Sequence, residues 1–363
     1  MILAHGSAPG GSIEDNPRWT GAETPIAFAG VESYVAAGCP RSPSFGGLGN
    51  IGPEFAVDNG PVITSRNFYI FIVALAGIGS ARAQQIAFTW DDLPAHSALP
   101  QGETRVEIGR KLITAMKAAH LPPVYGFVSG VQLEREPASA PMLKEWRDAG
   151  FPLGNHTWSH PNLNTTSLAD WEADLLKNEP LLEQSATGSD WHWLRYPFLA
   201  EGDTLEKRAE ARMFLADHHY KIAAVTMSFG DYMWNEPYAR CVAKNDMAAI
   251  VQLESTYLAA AAADIDFRRA MAKALYGHDI PYVLLMHVGA FDARMLPRLL
   301  KLYRDKGFAF IALEEAEKDP FYTSDLDPSL PQQPDTLEGV MNARHIPLPP
   351  RSKLFVDPNS LCR

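Results

Sequence analysis

The chain has 363 residues, 46% of them hydrophobic and 21% charged, which is the composition of an ordinary globular protein. Its net charge of −11, without a basic run, would repel a phosphate backbone, so we expect no nucleic-acid partner. The three cysteines, Cys39, Cys241 and Cys362, form no Cys-x-x-Cys pair and are too few for a four-sulfur metal site. Any bound metal must therefore use histidine and carboxylate ligands.

Gly and Pro are frequent at the start of the chain, where the first 64 residues contain 11 Gly and 7 Pro. Segments of this composition without a repeat usually build no core. Arg66, the apolar run 68–79 and Ala81-Arg82-Ala83 come next, in the layout of a cleaved secretory signal peptide. The run is too short to span a bilayer comfortably, so we expect no stable membrane anchor. The alternative is a buried strand or helix of the core.

A signal peptide stands at the N-terminus of its protein, so we expect translation to start near Val62 or Ile63. Residues 1–61 would then be non-native upstream sequence or disordered, and residues 62–83 would be the signal peptide. The mature chain would begin at Gln84, in the periplasm or outside the cell. An exported chain also allows Cys241 and Cys362 to pair, although the sequence gives no distance between them.

From Gln84 onward, short apolar runs that predict strands alternate with amphipathic stretches that predict helices. The predicted strands are 86–90, 124–128, 192–196, 222–226, 282–286 and 308–311. The predicted helices are 103–120, 140–149, 168–182, 205–218, 248–275 and 293–304. This alternation predicts parallel strands and an α/β fold over residues 84–319, either a barrel or an open sheet. The Pro-rich residues 320–363 are expected to wrap irregularly over its surface.

Two adjacent carboxylates, Asp91 and Asp92, follow the first predicted strand directly. Adjacent side chains of a regular strand point to opposite faces, so both reach one site only where the strand breaks up. The dipeptide Leu93-Pro94 marks such a break. A shared site would need a cation or hydrogen bonds to offset the repulsion between the carboxylates. The alternative is a solvated acidic turn.

Two histidines, His156 and His160, are four residues apart in the segment 154–161. In a single helical turn this spacing places both imidazoles on one face, where they can bind one metal. Two histidines and one carboxylate around an open position form a known zinc hydrolase arrangement. The alternative is a packed or surface pair.

Further polar residues lie near the ends of later predicted strands. Arg195 can orient a carboxylate through two hydrogen bonds, although a surface ion pair is the alternative. Asp231 and Trp234 lie in the segment 229–234, and His287 ends the apolar run 282–286. Taken singly, a capped turn, a core indole and a satisfied core histidine explain them as well. Their order along the chain is more informative than any one of them.

In that order, five motifs resemble those of the NodB-like polysaccharide deacetylases, carbohydrate esterase family four. The motifs are Thr89-Trp90-Asp91-Asp92, His156-Thr157-Trp158-Ser159-His160-Pro161, Arg195-Tyr196-Pro197-Phe198, Asp231-x-x-Trp234 and Leu285-Met286-His287. The resemblance covers roughly residues 86–312. It implies a distorted (β/α)7-type barrel with its site at the C-terminal ends of the strands.

The resemblance also implies a metal site and a general base. Asp92, His156 and His160 would bind a divalent metal, with zinc as the first choice. Asp91 would take a proton from the attacking water, and Arg195 would hold the Asp91 carboxylate in place.

The remaining motifs are implied to serve the substrate and the leaving group. The backbone N–H of Phe198 would stabilise the developing oxyanion. His287 would protonate the leaving nitrogen or oxygen, and Asp231 would tune that imidazole. Tyr196, Phe198 and Trp234 would contact the substrate, an acetylated glycan.

Four residues depart from the family pattern around the site. Leu93 and Leu199 stand where the family has or often has Gly, Trp90 where Phe is usual, and Val288 where Asp often follows the last His. None of them is an implied ligand. The larger residues at the Gly positions favour a narrower cleft, for short or unusual glycans.

The implied activity is the removal of acetyl groups from N-acetylated sugars of a chitin- or peptidoglycan-like glycan. An O-acetyl esterase and a hydrolase of small amides on the same fold are alternatives. A carbohydrate-binding protein without catalysis is an alternative from another class, and Trp191, Trp193 and Trp234 would then stack on sugars. The sequence leaves open the glycan, the native metal and the oligomeric state.

Overall fold

Parallel strands form the centre of the computed structural model, which describes residues 84–185, 188–324, 336–352 and 357–363. The expected upstream extension and signal peptide, residues 1–83, lie outside the described residues. The strands are β1 Gln84–Leu93, β2 Gly126–Val128, β3 Leu153–Asn155, β4 Trp193–Leu194, β5 Lys221–Ile222, β6 Tyr282–His287 and β7 Phe308–Phe310.

The strands form one seven-stranded sheet in the order β5-β4-β3-β2-β1-β6, and β7 pairs with the start of β1. All of these pairings are parallel. Met227, shortly after β5, forms an isolated parallel bridge with Leu284 of β6, so the two ends of the sheet approach each other. The sheet therefore curls into a half-barrel, and the predicted α/β fold with a distorted barrel is confirmed.

Helices connect the strands and cover the outside of the sheet. They are α1 Arg105–Ala118, α2 Val131–Arg135, α3 Pro141–Asp148, α4 Leu168–Ser185, α5 Leu205–Asp217, α6 Asn235–Ala243, α7 Met247–Tyr276, α8 Ala290–Asp305, α9 Leu313–Ala316, α10 Pro320–Ser324 and α11 Leu337–Ala343. Their starts follow local chemistry; Thr104 and Glu107 form a capping box at α1, and Asp246 caps α7. No helix in the described part of the chain is long and apolar enough to cross a bilayer.

Each predicted strand and helix is present, with strand ends shifted by a few residues. The sequence analysis missed β3, because its residues include Gly154 and Asn155, which are residue types that strands rarely contain. A Cβ on Gly154 would lie 2.6 Å from the Phe127 ring and 2.8 Å from the Trp193 carbonyl oxygen, so close packing of β2, β3 and β4 requires glycine here.

The central strand β1 is buried from Ile86 to Leu93, as expected for a parallel strand that is covered on both faces. The hydrophobic core extends from this strand to α1, α3, α7 and α8. This burial makes β1 rigid, so the residues at its C-terminal end are held in fixed positions.

Part of the C-terminal segment forms a packed helix, which the sequence analysis did not predict. Helix α11 buries Leu337, Val340 and Met341 and packs against α7. The expectation of irregular surface wrapping is therefore wrong for this helix, because three apolar residues at helical spacing give it a core-facing side. A disulfide between Cys241 of α6 and Cys362 also joins the end of the chain to the domain.

Candidate metal and catalytic site

The motif residues meet at one edge of the half-barrel, where parallel strands place their carboxyl ends. Asp91 and Asp92 lie at the end of β1, His156 directly follows β3, Arg195 directly follows β4, and His287 ends β6. The strand pairing places Asp91 opposite His287. The predicted position of the site at the C-terminal ends of the strands agrees with this arrangement.

Asp91 and Asp92 reach the same site because the backbone of β1 is irregular there. Trp90 pairs with Gly126 and Leu93 pairs with Val128, so β1 has one extra residue relative to β2. Asp92 has a φ of 62°, in the left-handed region, which turns its side chain out of the alternation of a regular strand. The expected strand break is therefore confirmed, and it lies at Asp92 itself.

Three side chains form a cluster that fits one metal ion. One ligand atom from each of Asp92, His156 and His160 lies within 4.8 Å of the other two. The Nε2 atoms of both histidines are 3.6 Å from Asp92 Oδ1. Tetrahedral zinc with bonds of about 2.0–2.1 Å separates its ligand atoms by about 3.3 Å, so this spacing is close to that of a coordinated set.

The protonation states suit a metal as well. The Nδ1–H of His156 donates to the Arg195 carbonyl oxygen at 2.7 Å, which leaves His156 Nε2 free for a metal. Burial lowers the pKa of His156 to about 4, so this imidazole is neutral. Burial alone would raise the pKa of Asp92, but His160, His96 and His156 outweigh it and hold the pKa below its ordinary value. A neutral imidazole and an ionised carboxylate are the forms that bind metal.

The two histidines converge through a loop and not through a helix, so the expectation of a helical turn is wrong. Residues 156–160 form an irregular bend in which Thr157 and His160 both have a φ of 61°. Asn155 Oδ1 accepts hydrogen bonds from the Thr157 N–H at 2.8 Å and from Asn178 Nδ2 at 2.9 Å. These buried hydrogen bonds fix the bend and thereby the two imidazoles.

Arg195 contacts the Asp91 carboxylate, as the sequence analysis expected. Arg195 Nη1 lies 3.2 Å and 3.3 Å from the two oxygens of Asp91, and the Arg195 side chain is fully buried. Its Nη2 donates to Thr89 Oγ1 at 2.9 Å and its Nε donates to the Ala223 carbonyl oxygen at 2.8 Å. The alternative of a surface ion pair is therefore excluded, and the guanidinium is held in one orientation.

His287 and the fully buried Asp231 form a second pair beside the Asp92-His156-His160 cluster. Asp231 Oδ1 lies 3.0 Å from His287 Nδ1, and Asp231 Oδ2 accepts the His287 backbone N–H at 2.6 Å. Burial acts to lower the pKa of His287, but the Asp231 carboxylate outweighs it and raises the pKa to about 10. His287 is therefore a protonated group with Nε2 available on the side away from Asp231.

Phe198 is exposed beside His160. The residue is 46% exposed, and its ring lies 4.5 Å from the His160 ring, centre to centre. Phe198 and Leu199 have φ values of 59° and 53°, so two consecutive non-glycine residues are left-handed. Such residues cost roughly 1–2 kcal/mol each, which explains why glycine suits the position of Leu199.

Tyr196 and Trp234, which the sequence analysis expected to contact the substrate, are buried in the structure. Tyr196 is 2% exposed and its ring stacks on Trp171. Trp234 is fully buried, and its Nε1–H donates to Thr256 Oγ1 at 3.1 Å. Both aromatic side chains pack in the interior, as does Trp193 at 4% exposure.

Leu93 does not narrow the cleft either. Its side chain is fully buried and lies above Gly126, where an added Cβ would be 2.7 Å from Leu93 Cδ2. Val288 is fully buried as well. The expectation of a narrower cleft is therefore wrong at Leu93, because its side chain points into the core.

His96 is a site residue that the sequence analysis missed. Its Nε2 lies 3.7 Å from Asp92 Oδ2, and its ring centre lies 5.1 Å from that of His287. Tyr232 packs against both imidazoles, at 6.0 Å from His96 and 5.2 Å from His287. The sequence feature that could have identified His96 as a site residue is its position four residues after Asp92, just beyond the end of β1.

Comparison with known proteins finds similarity to one family over part of the chain. Residues 79–214 match the family described as polysaccharide deacetylase. This part of the chain is similar to the polysaccharide deacetylases. It contains the carboxylate pair, both clustered histidines and the buried arginine.

A peptidoglycan-N-acetylglucosamine deacetylase of Bacillus cereus is 27% identical over 135 residues, or 37% of this chain. The match spans 42% of that relative, so less than half of its length is represented. Among solved structures, a carbohydrate esterase family four pseudoenzyme from Bacillus anthracis is 16% identical, with a TM-score of 0.46 over 65% of this chain and 66% of the other. A chitin deacetylase from the fungus Colletotrichum lindemuthianum is 19% identical, with a TM-score of 0.43 over 65% and 88% of the two chains.

Proposed function

We propose that this protein is a metal-dependent deacetylase that hydrolyses the acetyl amide of N-acetylated sugars in a polysaccharide or oligosaccharide. The observation that carries the proposal is the meeting of three groups at one strand edge: the Asp92-His156-His160 cluster, the Asp91–Arg195 pair and the Asp231–His287 pair. These groups supply what amide hydrolysis needs, namely a cation site, a carboxylate base and an imidazolium acid. The described activity of the Bacillus cereus relative supports a peptidoglycan-like glycan, and a chitin-like glycan carries the same acetyl amide.

Asp92, His156 and His160 would hold the metal, and zinc is the divalent ion that we propose first. A divalent cation there would supply Lewis-acid chemistry to the acetyl carbonyl and the attacking water. Asp91 would accept the proton of that water. Its carboxylate is suited to this role because Arg195 fixes its position through two contacts while leaving it in the same pocket as His156, whose Nε2 lies 3.9 Å from Asp91 Oδ2.

The later half of the reaction needs a proton for the leaving nitrogen. His287 would donate it from Nε2, since Nδ1 is engaged by Asp231. The Phe198 backbone N–H would donate to the oxyanion that develops on the acetyl group. The exposed Phe198 ring would contact the sugar or the acetyl methyl beside His160.

The substrate would enter over Phe198 and not against Tyr196 or Trp234, because those two side chains are buried. The burial of Trp193 and Trp234 removes two of the three indoles from the alternative of a sugar-stacking protein without catalysis. Trp191 keeps partial exposure, but its ring is stacked on His192 at 3.8 Å. An active hydrolase therefore has the better support of the two classes.

We also propose that the mature protein is exported and begins at or near Gln84. The Cys241–Cys362 disulfide supports export, because such bonds persist in oxidising compartments. Intact mass and N-terminal sequencing of material from the cell exterior or periplasm test this proposal. Recovery of a species that retains residues 1–61 would contradict it.

The test of function is acetate release from N-acetylglucosamine oligomers by zinc-loaded protein, with the same preparation after chelation as reference. We expect activity only with metal, and its loss in His160→Ala. Asp266→Asn is the matched control, because Asp266 is an exposed carboxylate that pairs with Lys306 away from the site. Release from O-acetylated xylan but not from N-acetylated oligomers would favour the esterase alternative, and no metal-dependent release from either would reject the proposal.

A further inference from the structure

We propose that His96 is a positioning residue for the metal ligand Asp92, which it holds with one oxygen toward the metal and the other turned away. This inference rests on the metal site of the proposed function. It adds a residue to that site which no motif of the sequence analysis contained. His96 lies in the turn that follows β1, and its side chain is only 16% exposed.

The Asp92 carboxylate divides its two oxygens between different neighbours. Oδ1 faces the two clustered histidines, at 3.6 Å from each Nε2. Oδ2 faces His96, at 3.7 Å from its Nε2. A carboxylate with contacts at both oxygens presents a single oxygen to the metal. The same contacts oppose rotation of the carboxylate.

The contact attracts the Asp92 carboxylate only if His96 Nε2 carries a proton. Ser97 Oγ contacts His96 Nδ1 within hydrogen-bonding distance. A hydroxyl can donate to an imidazole nitrogen, and Nδ1 then acts as the acceptor. We assign the Ser97 hydroxyl as the donor, so that His96 Nε2, the atom that faces Asp92 Oδ2, carries the N–H. The distance of 3.7 Å exceeds that of a direct hydrogen bond, so the contact is a charge–dipole interaction.

The position of the His96 ring is itself fixed from several sides. The His96 backbone N–H donates to the Val288 carbonyl oxygen at 2.7 Å, which ties the turn after β1 to the end of β6. The rings of His287 and Tyr232 pack against the imidazole. His96 can therefore impose an orientation on Asp92 without being displaced by it.

His96 acts through Asp92 and not as a fourth ligand. Among the described residues, the set of ligand atoms that lie within 4.8 Å of one another contains Asp92, His156 and His160 and does not extend to His96. The expected result of removing His96 is therefore weaker metal binding with an unchanged ligand set. Loss of such an outer partner typically lowers metal affinity 10- to 100-fold.

The experiment measures zinc affinity by competition with a chromophoric chelator, together with the absorption spectrum of the cobalt-substituted protein. His96→Phe keeps a ring but lacks an N–H, and we expect its zinc affinity to fall about 10- to 100-fold. His96→Gln retains an N–H donor, and we expect it to recover part of the loss. Circular dichroism and thermal unfolding of the metal-free variants identify any that do not fold, in which case His96→Gln and Ser97→Ala carry the test.

Ser97→Ala provides a readout that a merely structural role of His96 would not give. It should weaken zinc binding less than His96→Phe, and the double variant should bind like His96→Phe alone, because Ser97 acts only through the imidazole. The cobalt spectrum of His96→Gln should keep the wild-type band positions. Wild-type zinc affinity in His96→Phe would overturn the inference, as would a cobalt spectrum that shows one nitrogen ligand fewer in His96→Gln. Wild-type protein that binds no zinc would instead reject the proposed function, and the inference with it.

Discussion

Asp91 and Asp92 are adjacent in the chain, yet their carboxylates differ in their nearest partners. Asp91 lies 3.2 Å from the buried Arg195 guanidinium, whereas Asp92 Oδ1 lies 3.6 Å from both His156 and His160. The left-handed backbone at Asp92 makes this separation possible, because it directs two neighbouring side chains into one pocket from different angles. The guanidinium offsets the charge of Asp91, and a cation bound at the Asp92-His156-His160 cluster would offset the charge of Asp92.

This division predicts different effects of the two matching substitutions. Asp92→Asn should lose metal and activity together, because it removes a charged ligand. Asp91→Asn should keep the metal and lose turnover by about 10²- to 10⁴-fold, because a general base contributes proton transfer and not binding. Bound zinc by elemental analysis and kcat for an N-acetylated oligomer provide the two measurements.

Arg195→Lys serves as an intermediate control for this pair. It keeps a positive charge but cannot make the same set of contacts to Asp91, Thr89 and Ala223, so a smaller loss of turnover with full metal content is expected. Equal loss of metal in Asp91→Asn and Asp92→Asn would show that the two roles have been exchanged.

The sequence predicted those features of the site that depend on neighbouring residues, and it did not predict those that depend on contacts between distant parts of the chain. The strand ends, the His pair and Arg195 follow from periodicity and motif order, which the chain displays directly. The bend at residues 156–160 could not be predicted as it is, because it depends on Asn155 and on Asn178 of α4, a contact between distant parts of the chain. Side-chain direction was also hidden; nothing local shows that Leu93 points into the core or that Trp234 is buried.

The burial of Leu93 predicts an effect on stability and none on the cleft. Leu93→Ala should lower the free energy of unfolding by about 2–5 kcal/mol, because it removes fully buried atoms above Gly126 and leaves a cavity. The KM for glycan oligomers should stay within about twofold of wild type. Leu348→Ala is the matched control, since Leu348 is 45% exposed and its truncation should change stability by about 0.5 kcal/mol or less. Denaturant unfolding and steady-state kinetics make the comparison, and a clear gain in activity on bulkier glycans would restore the narrow-cleft hypothesis.

The disulfide predicts that the C-terminal segment stabilises the whole domain. Cys241 and Cys362 are 121 residues apart in sequence, so their bond closes a long loop and restricts the unfolded chain. Cys362→Ser should cost about 2–5 kcal/mol under oxidising conditions and should make the melting temperature insensitive to reductant. Alkylation of the denatured, unreduced wild-type protein should leave both cysteines unmodified. Two free thiols in the mature protein would rule the bond out.

The position of His287 predicts a difference between substrates. His287→Ala should slow cleavage of an N-acetyl amide far more than cleavage of an acetyl ester with a phenolate leaving group. An amide nitrogen leaves poorly unless it is protonated, while a stabilised phenolate departs without help. Both substrates should be measured on the same zinc-loaded preparations. Equal slowing of both would reject the role of proton donor for His287.

Asp231→Asn tests the electrostatic origin of that acid. In wild-type protein Asp231 outweighs the effect of burial and raises the pKa of His287 from 6.5 to about 10, so removing the charge should lower this pKa markedly. NMR titration of the imidazole in metal-free protein measures the shift directly. Because a raised histidine pKa stabilises the folded state only while the imidazole is protonated in it, the stability that wild type has over Asp231→Asn should be complete below about pH 6.5. It should decline as the pH rises through about 10, and urea unfolding at several pH values measures it. A stability difference that grows with pH would show that Asp231 does not stabilise the protonated form of His287.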